Sequence, residues 1–390
     1  MHVILAPSAY YPHVGGIEEL TRQLATTFQE RGHRVSVLTN RWPPGVRSRE
    51  TLDGVHVTRV SLPLPTARVE AGARFLVEAP TAAAAVVRHL RRFDPDVVHV
   101  IGAGPQSVYL SVLARLSGAP VVFTAQGELT FDAQRVFDRS ITLRAGLRRI
   151  LRIADAVTAC SEFVLRDLLS FGDLRSRPVI VPNGVSPSDF AAPSSDGALP
   201  RATPYVLGMG RLVAQKGFDV LIEAAASELL ADLNVVLAGE GPERRHLEKR
   251  ARELGIAHRV SFFGAANRHE VVTLLRGARV FAFPSRGEPF GIALLEAMAA
   301  GTPSIATSAG GVVEFAHDGV NALLFPPDDV DRLATGIHRL ATEEGLRRQL
   351  VRGGIRTADE LSWSRIAQRY EQIYEQAHQG SDARTSLGVG

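Results

Sequence analysis

Residues 1–40 read MHVILAPSAYYPHVGGIEELTRQLATTFQERGHRVSVLTN, and three patterns follow one another in them. An apolar run, MHVILAP, ends in a Gly-containing loop; IEELTRQLATTFQERG then repeats its apolar positions with helical spacing, and HRVSVLTN turns apolar again. That order predicts a β-α-β unit. The rhythm continues through VVHVIG, APVVFTAQ, AVTACS and PVIVPNG, which predicts a parallel, doubly wound sheet. After VPNGV, the segment SPSDFAAPSSDGALPRATP keeps neither periodicity and marks a change of domain. The rhythm then restarts with PYVLGMGRL, LNVVLAGEG, VSFFGA, VFAFPS, PSIATS and NALLFPP, separated by helices such as GFDVLIEAAASEL and PERRHLEKRARELG. The expected fold class is α/β, two doubly wound Rossmann-like domains facing across a cleft, one over 1–185 and one over 186–360. WSRIAQRYEQIYEQAH predicts a further helix within 361–379, and 380–390 read as a disordered tail.

A chain of 390 residues is long for one core, which also argues for two domains. Its opening has no basic leader, and no run approaches the roughly 18 apolar residues that would span a bilayer, so a cytoplasmic protein is expected. The lone Cys160 excludes an internal disulfide framework and reads as a small buried hydrophobe. Residues 1–190 carry 22 Arg and no Lys against 17 acids, so the first half is the basic one. Within it, ITLRAGLRRILRIADA places Arg144, Arg148 and Arg152 four residues apart along one helix. Two readings stand for that face: a solvated basic surface, or peripheral contact with the inner face of an anionic membrane. Nucleic acid is not expected, since the basic clusters lack interleaved aromatics and no recognition module appears.

In open parallel sheets ligands sit beyond the carboxyl ends of strands, and the residues able to do chemistry fall there. The stretch 287–296, GEPFGIALLE, carries Glu288 and Glu296 across a Pro and a Gly. Glu288 is expected on a loop and Glu296 inside a helix starting near Gly291 or Ile292, whose first-turn N–H groups suit an anion. The loop after PYVLGM contains Arg211 and Lys216, a guanidinium and an ammonium that suit a diphosphate. The chain uses 42 Arg and two Lys, so a lysine at 216 is a pointed choice. Gly241 lies in the loop after LNVVLA, and Gly15 and Gly16 precede the first helix, where small residues let backbone approach a ligand. GMGRLV has Val213 where a dinucleotide fingerprint needs Gly or Ala. Asp94-Pro95-Asp96 precedes a strand and reads as a turn, not a metal site; His99 inside that strand is either a core residue or a cleft group.

Taken together, these segments resemble the retaining nucleotide-sugar glycosyltransferases of family 4, which have the two-domain GT-B fold. The resemblance runs from the Gly15-Gly16 loop through PNGV and GRLVAQKG to GEPFGIALLEAMAAGTP and the terminal helix, with Glu288 and Glu296 matching the Glu-x7-Glu motif. It implies an acceptor-binding first domain, a nucleotide-sugar-binding second domain, and a last helix that packs back on the first. It further implies that Arg211 and Lys216 neutralise the donor diphosphate and that Glu296 accepts hydrogen bonds from the ribose. Glu288, with the backbone of Phe290, Gly291 and Ile292, would hold the transferred sugar and leaving phosphate, and Gly16 would close over the phosphates. No metal and no cofactor is implied beyond the nucleotide sugar itself. The chain departs from the pattern where Ile101 and Gln126 replace two histidines usual near the ends of their strands. His99, Gln126 and Glu128 remain candidates for acceptor or sugar contact.

The expected reaction is transfer of a hexose or N-acetylhexosamine, from a UDP-linked donor, to a hydroxyl of a glycan, lipid or small molecule. Two alternatives stay open: a nucleotide-sugar epimerase, which needs acid/base groups around the sugar, and a non-catalytic nucleotide-sugar-binding protein. The loops RWPPGVRSRETLDG and GELTFDAQRVFDRS carry no readable acceptor code.

Overall fold

A computed structural model describes residues 1–390 except 14, 66–68, 128, 130–136, 138–139, 192–203 and 387–390. Its strands arise where the apolar runs are continuous, because a parallel sheet covered by helices on both faces leaves no side for polar residues. β1 (His2–Pro7), β2 (Arg34–Asn40), β3 (Arg49–Leu52), β4 (Val55–Val60), β5 (Val97–Ile101), β6 (Val121–Ala125), β7 (Ala156–Ala159) and β8 (Val179–Ile180) form one sheet, in the order β3-β4-β2-β1-β5-β6-β7-β8. β1, β5 and β6 are buried from end to end. Every pairing is parallel except β3 with β4. The register sets Val3 beside Val97 and Leu5 beside His99.

The helices over this sheet are α1 (Gly16–Glu30), α2 (Val69–Phe93), α3 (Pro105–Leu113), α4 (Ile141–Ile153) and α5 (Glu162–Leu169). The β3–β4 hairpin corrects the reading of RWPPGVRSRETLDG as a loop throughout. Asp53 and Gly54 both take positive φ, the conformation of a two-residue hairpin turn, and this closes β3 onto β4.

The second sheet contains β9 (Tyr205–Met209), β10 (Asn234–Ala238), β11 (Val260–Gly264), β12 (Val280–Phe283), β13 (Ser304–Thr307) and β14 (Leu323–Phe325). All its pairings are parallel, in the order β11-β10-β9-β12-β13-β14. Its helices are α6 (Phe218–Ala225), α7 (Arg244–Glu253), α8 (Arg268–Gly277), α9 (Ile292–Ala299), α10 (Val330–Thr342) and α11 (Glu344–Glu360). Val206, Leu237, Val280 and Ile305 from the strands join Phe218, Leu221, Leu333 and Ile337 from the helices in one core. The strand order reverses between β9 and β12. That is the topological switch point, where the loops after the two strands diverge and leave a crevice.

The chain divides into two units, Met1–Asn183 with Trp363–Gly390, and Gly184–Ser362. The last helix, α12 (Trp363–Ser386), thus belongs to the first unit, where Ile366, Tyr370 and Tyr374 are buried. It extends to Ser386 and takes in part of the stretch expected to be a disordered tail. Among the described residues no helix is long and apolar enough to cross a membrane.

Candidate active site

Both loops at the switch point of the second sheet carry the predicted chemistry. After β9 the chain makes a 3₁₀ turn, Ala214–Lys216, and enters α6 through Gly217 at φ 64°. A Cβ at Gly217 would collide with the carbonyl oxygen of Pro284, so the two loops meet backbone to backbone only because this residue has no side chain. Gly241, in the loop after β10, is equally tight: a Cβ there would strike the Leu212 carbonyl. Gln215 Nε2 donates to Gly287 O at 2.9 Å, and Arg286 N donates to Gln215 O at 2.9 Å, lacing the loops together.

This lacing brings Lys216 to Glu288. Nζ of Lys216 donates to Oε2 of Glu288 at 2.6 Å, and Oγ of Ser285 donates to the same oxygen at 3.1 Å. The two side chains are 21 % and 16 % exposed, so the pair is reachable by a ligand yet partly shielded from water. The Glu288 backbone is fixed as well, since its carbonyl accepts from Gly311 N at 2.8 Å. Arg211, on the same loop as Lys216, is exposed, and its guanidinium has no hydrogen bond or ion pair among the described residues.

α9 starts at Ile292, with Gly291 as its N-cap at φ 107° and no side chain capping the first turn. Glu288 therefore lies on the loop and Glu296 one turn into the helix. Phe290 anchors the bend, stacked on Phe315 with ring centroids 4.8 Å apart. Leu294 N donates back to Gly291 O at 3.1 Å, which leaves the Ile292 and Ala293 N–H groups, without a backbone partner among the described residues, to meet an anion.

Glu296 is paired as well. Its carboxylate accepts from Nη1 of Arg268, and Arg268 in turn donates through Nη2 to Asp189 at 2.8 Å and lies 4.8 Å over the Phe190 ring. Burial opposes the charge on Arg268, but Glu296 and Asp189 outweigh it and raise its pKa. Sequence reasoning missed Arg268, Asp189 and Ser285. The available signal was position: Arg268 opens the helix that follows β11, inside the capping box made by Asn267 and Glu270.

In the first unit, Gly15 is extended and Gly16 opens α1, exposed at the carboxyl end of the β1 region. Glu18 turns back from α1 to His13 at 2.5 Å. His99 takes the core position of its two readings. It is fully buried, with Nδ1 2.7 Å from the Tyr374 hydroxyl and Nε2 2.6 Å from Thr124 Oγ1, so no ring atom remains for a ligand. Burial pushes its pKa down to about 3 and keeps it neutral. Gln126 is half-buried and its Oε1 accepts from Asn183 at 2.9 Å. Glu128 lies outside the described residues. Asp94 and Asp96 form a turn, in which Asp96 accepts from His2 N at 2.6 Å. Cys160 is buried. Of the basic face on α4, Arg144 sits 5.6 Å over the Phe171 ring, Arg148 donates to the Phe171 carbonyl at 3.1 Å, and Arg152 is exposed.

The chain is similar to known proteins over most of its length. The profile described as glycosyltransferase family 4 matches residues 14–189, and that described as glycosyl transferases group 1 matches 194–357. A phosphatidyl-myo-inositol mannosyltransferase of Mycolicibacterium smegmatis is 30% identical over 368 residues, covering 93% of this chain and 90% of that one. Among solved structures, a sucrose-phosphate synthase from Thermosynechococcus elongatus has a TM-score of 0.80 at 24% identity, over 97% of this chain and 100% of that one. An Anabaena protein solved with UDP-glucose has a TM-score of 0.76 at 18% identity, over 96% and 99% of the two chains.

Proposed function

Because this chain belongs to glycosyltransferase family 4, with the GT-B fold, it is a glycosyltransferase, and we propose that it moves a hexose or N-acetylhexosamine from a UDP-linked donor to a hydroxyl acceptor. The observation that carries this reading is the Lys216–Glu288 pair at the switch point of the second sheet, beside the uncapped start of α9.

Breaking the anomeric C–O bond leaves positive charge on the sugar and negative charge on the departing diphosphate. Fixed positive groups aimed at that anion lower the barrier, because they are already oriented when the charge appears. Lys216, Arg211 and the Ile292 end of α9 fill that role. Glu288 accepts hydrogen bonds from the sugar hydroxyls and holds Lys216 in place until the phosphate shares its ammonium. Glu296 accepts from the ribose hydroxyls, and Arg268 holds its carboxylate in place. In this reading the acceptor attacks from the face the diphosphate leaves, its proton passes to a departing phosphate oxygen, and anomeric configuration is retained. Glu288 is then not a nucleophile of the glycosidase kind. Positive side chains supply the neutralisation, so transfer does not depend on a divalent metal.

A screen of nucleotide sugars, scoring nucleotide release with and without sugar and lipid acceptors, tests the proposal. We expect acceptor-dependent release that survives excess chelator, with a product of unchanged anomeric configuration by NMR. An altered sugar on intact nucleotide would instead mark an epimerase, and donor binding without either product would mark a binding protein.

A further inference from the structure

A groove of about 880 Å³ lies between α2 and the β3–β4 hairpin, lined only by residues of the first unit. That volume suits a small organic ligand. The charge on its walls is one-sided: five arginines and two histidines against Glu50 and Glu78. One arginine is accounted for. Arg59 is buried, pairs with Glu50 at 2.5 Å and donates to the carbonyl of Arg47 at 3.1 Å. Arg49, Arg88 and Arg92 are exposed, and none has a carboxylate partner among the described residues.

Their placement is not that of a dispersed basic surface. Arg88 and Arg92 stand one turn apart on α2, and Arg49 lies on β3 across the groove. Cations near a helix C-terminus are favourable in themselves, which accounts for Arg92 but not for Arg49 on the opposing hairpin. His89, buried between them, leaves its Nε2 without a hydrogen-bond partner among the described residues. Three guanidiniums on the walls of one groove leave its charge unbalanced, and leaving a buried nitrogen unpaired costs desolvation; a bound anion offsets the first and a ligand hydroxyl the second. The remaining wall mixes apolar Val57, Ala82 and Ala85 with the hydroxyls of Ser48, Thr58 and Thr81.

We infer that this groove is a second binding site, one for a phosphate monoester whose dianionic group lies among Arg49, Arg88 and Arg92 and whose organic part lies along Val57, Ala82 and Ala85. Guanidinium forks match phosphate oxygens two at a time, which lysine does not do. The ester is either a soluble phosphate or the headgroup of a lipid.

The experiment uses the full chain in three forms: unaltered, Arg49→Glu/Arg92→Glu, and Lys216→Ala, the last removing the cation assigned to the donor site. Glycerol 3-phosphate binding is measured by calorimetry, and binding to phosphatidylcholine vesicles with and without phosphatidic acid by co-sedimentation. We expect at least a tenfold loss of affinity in the arginine double variant and little change in Lys216→Ala, with circular dichroism of all three alike. Binding of glycerol 3-phosphate identifies a soluble ligand, and binding only to phosphatidic acid vesicles identifies a lipid. The site is refuted if neither probe binds, or if binding falls in Lys216→Ala while the double variant binds as the unaltered chain does.

Discussion

Lys216 and Glu288 touch at 2.6 Å, so each holds the other in position, and their contributions to transfer are coupled. Lys216→Ala removes the ammonium set for the departing diphosphate. By analogy with the loss of one oriented donor elsewhere, we expect kcat/KM to fall about 10²- to 10³-fold. Glu288→Gln keeps the shape and one acceptor oxygen but loses the anion, so it should fall by a similar factor with little change in melting temperature. The double variant should lose less than the product of the two; a fully multiplicative loss in steady-state kinetics would show that the two residues act apart. A second residue-scale expectation concerns pH. His99, with its pKa lowered to about 3 by burial, and His89, lowered to about 4 chiefly by burial and further by nearby His2, Arg49 and Arg92, both stay neutral in the folded chain. The unfolded chain protonates them near pH 6.5. Their contribution is therefore complete above that pH and is lost as pH falls, by up to about 1.4 kcal/mol per pH unit for each. Urea unfolding between pH 7 and 5.5 should show this slope, and His99→Gln should reduce it by about one proton; an unchanged slope in that variant would contradict it.

At the scale of elements, the site depends on how closely two loops approach. Gly217→Ala forces a side chain into a left-handed conformation and against the Pro284 carbonyl, so the 3₁₀ turn carrying Lys216 must move. The strain is of order 1–3 kcal/mol. We expect a modest loss of stability in denaturant titrations together with at least a tenfold loss in kcat/KM, whereas Gly255→Ala, at positive φ but with open space around it, should lose only stability. Equal activity in both variants would remove the link between loop packing and catalysis. The strands around these loops were legible because buried parallel strands are written as continuous apolar runs, as in VVHVI and YVLGM. β3 was not, because its burial alternates along RETL at an exposed edge and its composition reads as loop. The loop position of Glu288 and the helix start at Ile292 followed from Pro289 and Gly291. The pairing of Glu296 with Arg268 and of Arg268 with Asp189 did not, since 28 and 79 positions separate the partners and only the folded sheet brings them together.

For the molecule as a whole, the chain leaves its first unit at Asn183 and returns to it at Trp363, so that unit is completed by its last helix. Within the second unit the outgoing and returning segments lie side by side, with Val185 N donating to Leu361 O at 3.0 Å. α12 then covers the polar spine of the first core: Tyr374 meets His99, Tyr370 approaches Thr124 at 3.3 Å, and Glu371 takes both Nε and Nη2 of Arg31 at 2.7 Å. Ile366, Tyr370, Ile373 and Tyr374 are buried there. At about 1.5–3 kcal/mol per side chain their burial sums to roughly the whole stability of a domain, about 5–15 kcal/mol. His99 would also lose its phenol partner, adding the cost of an unpaired buried nitrogen. Truncation after Ser362 should therefore abolish hydrogen-exchange protection in β5, β6 and α1 while β9, β10 and β12 keep theirs. Tyr374→Phe, which removes one hydroxyl and leaves the packing, should cost only about 1–3 kcal/mol and keep protection in both units. If β5 and β6 stayed protected in the truncated chain, the last helix would be an accessory to the first unit and not a part of its core.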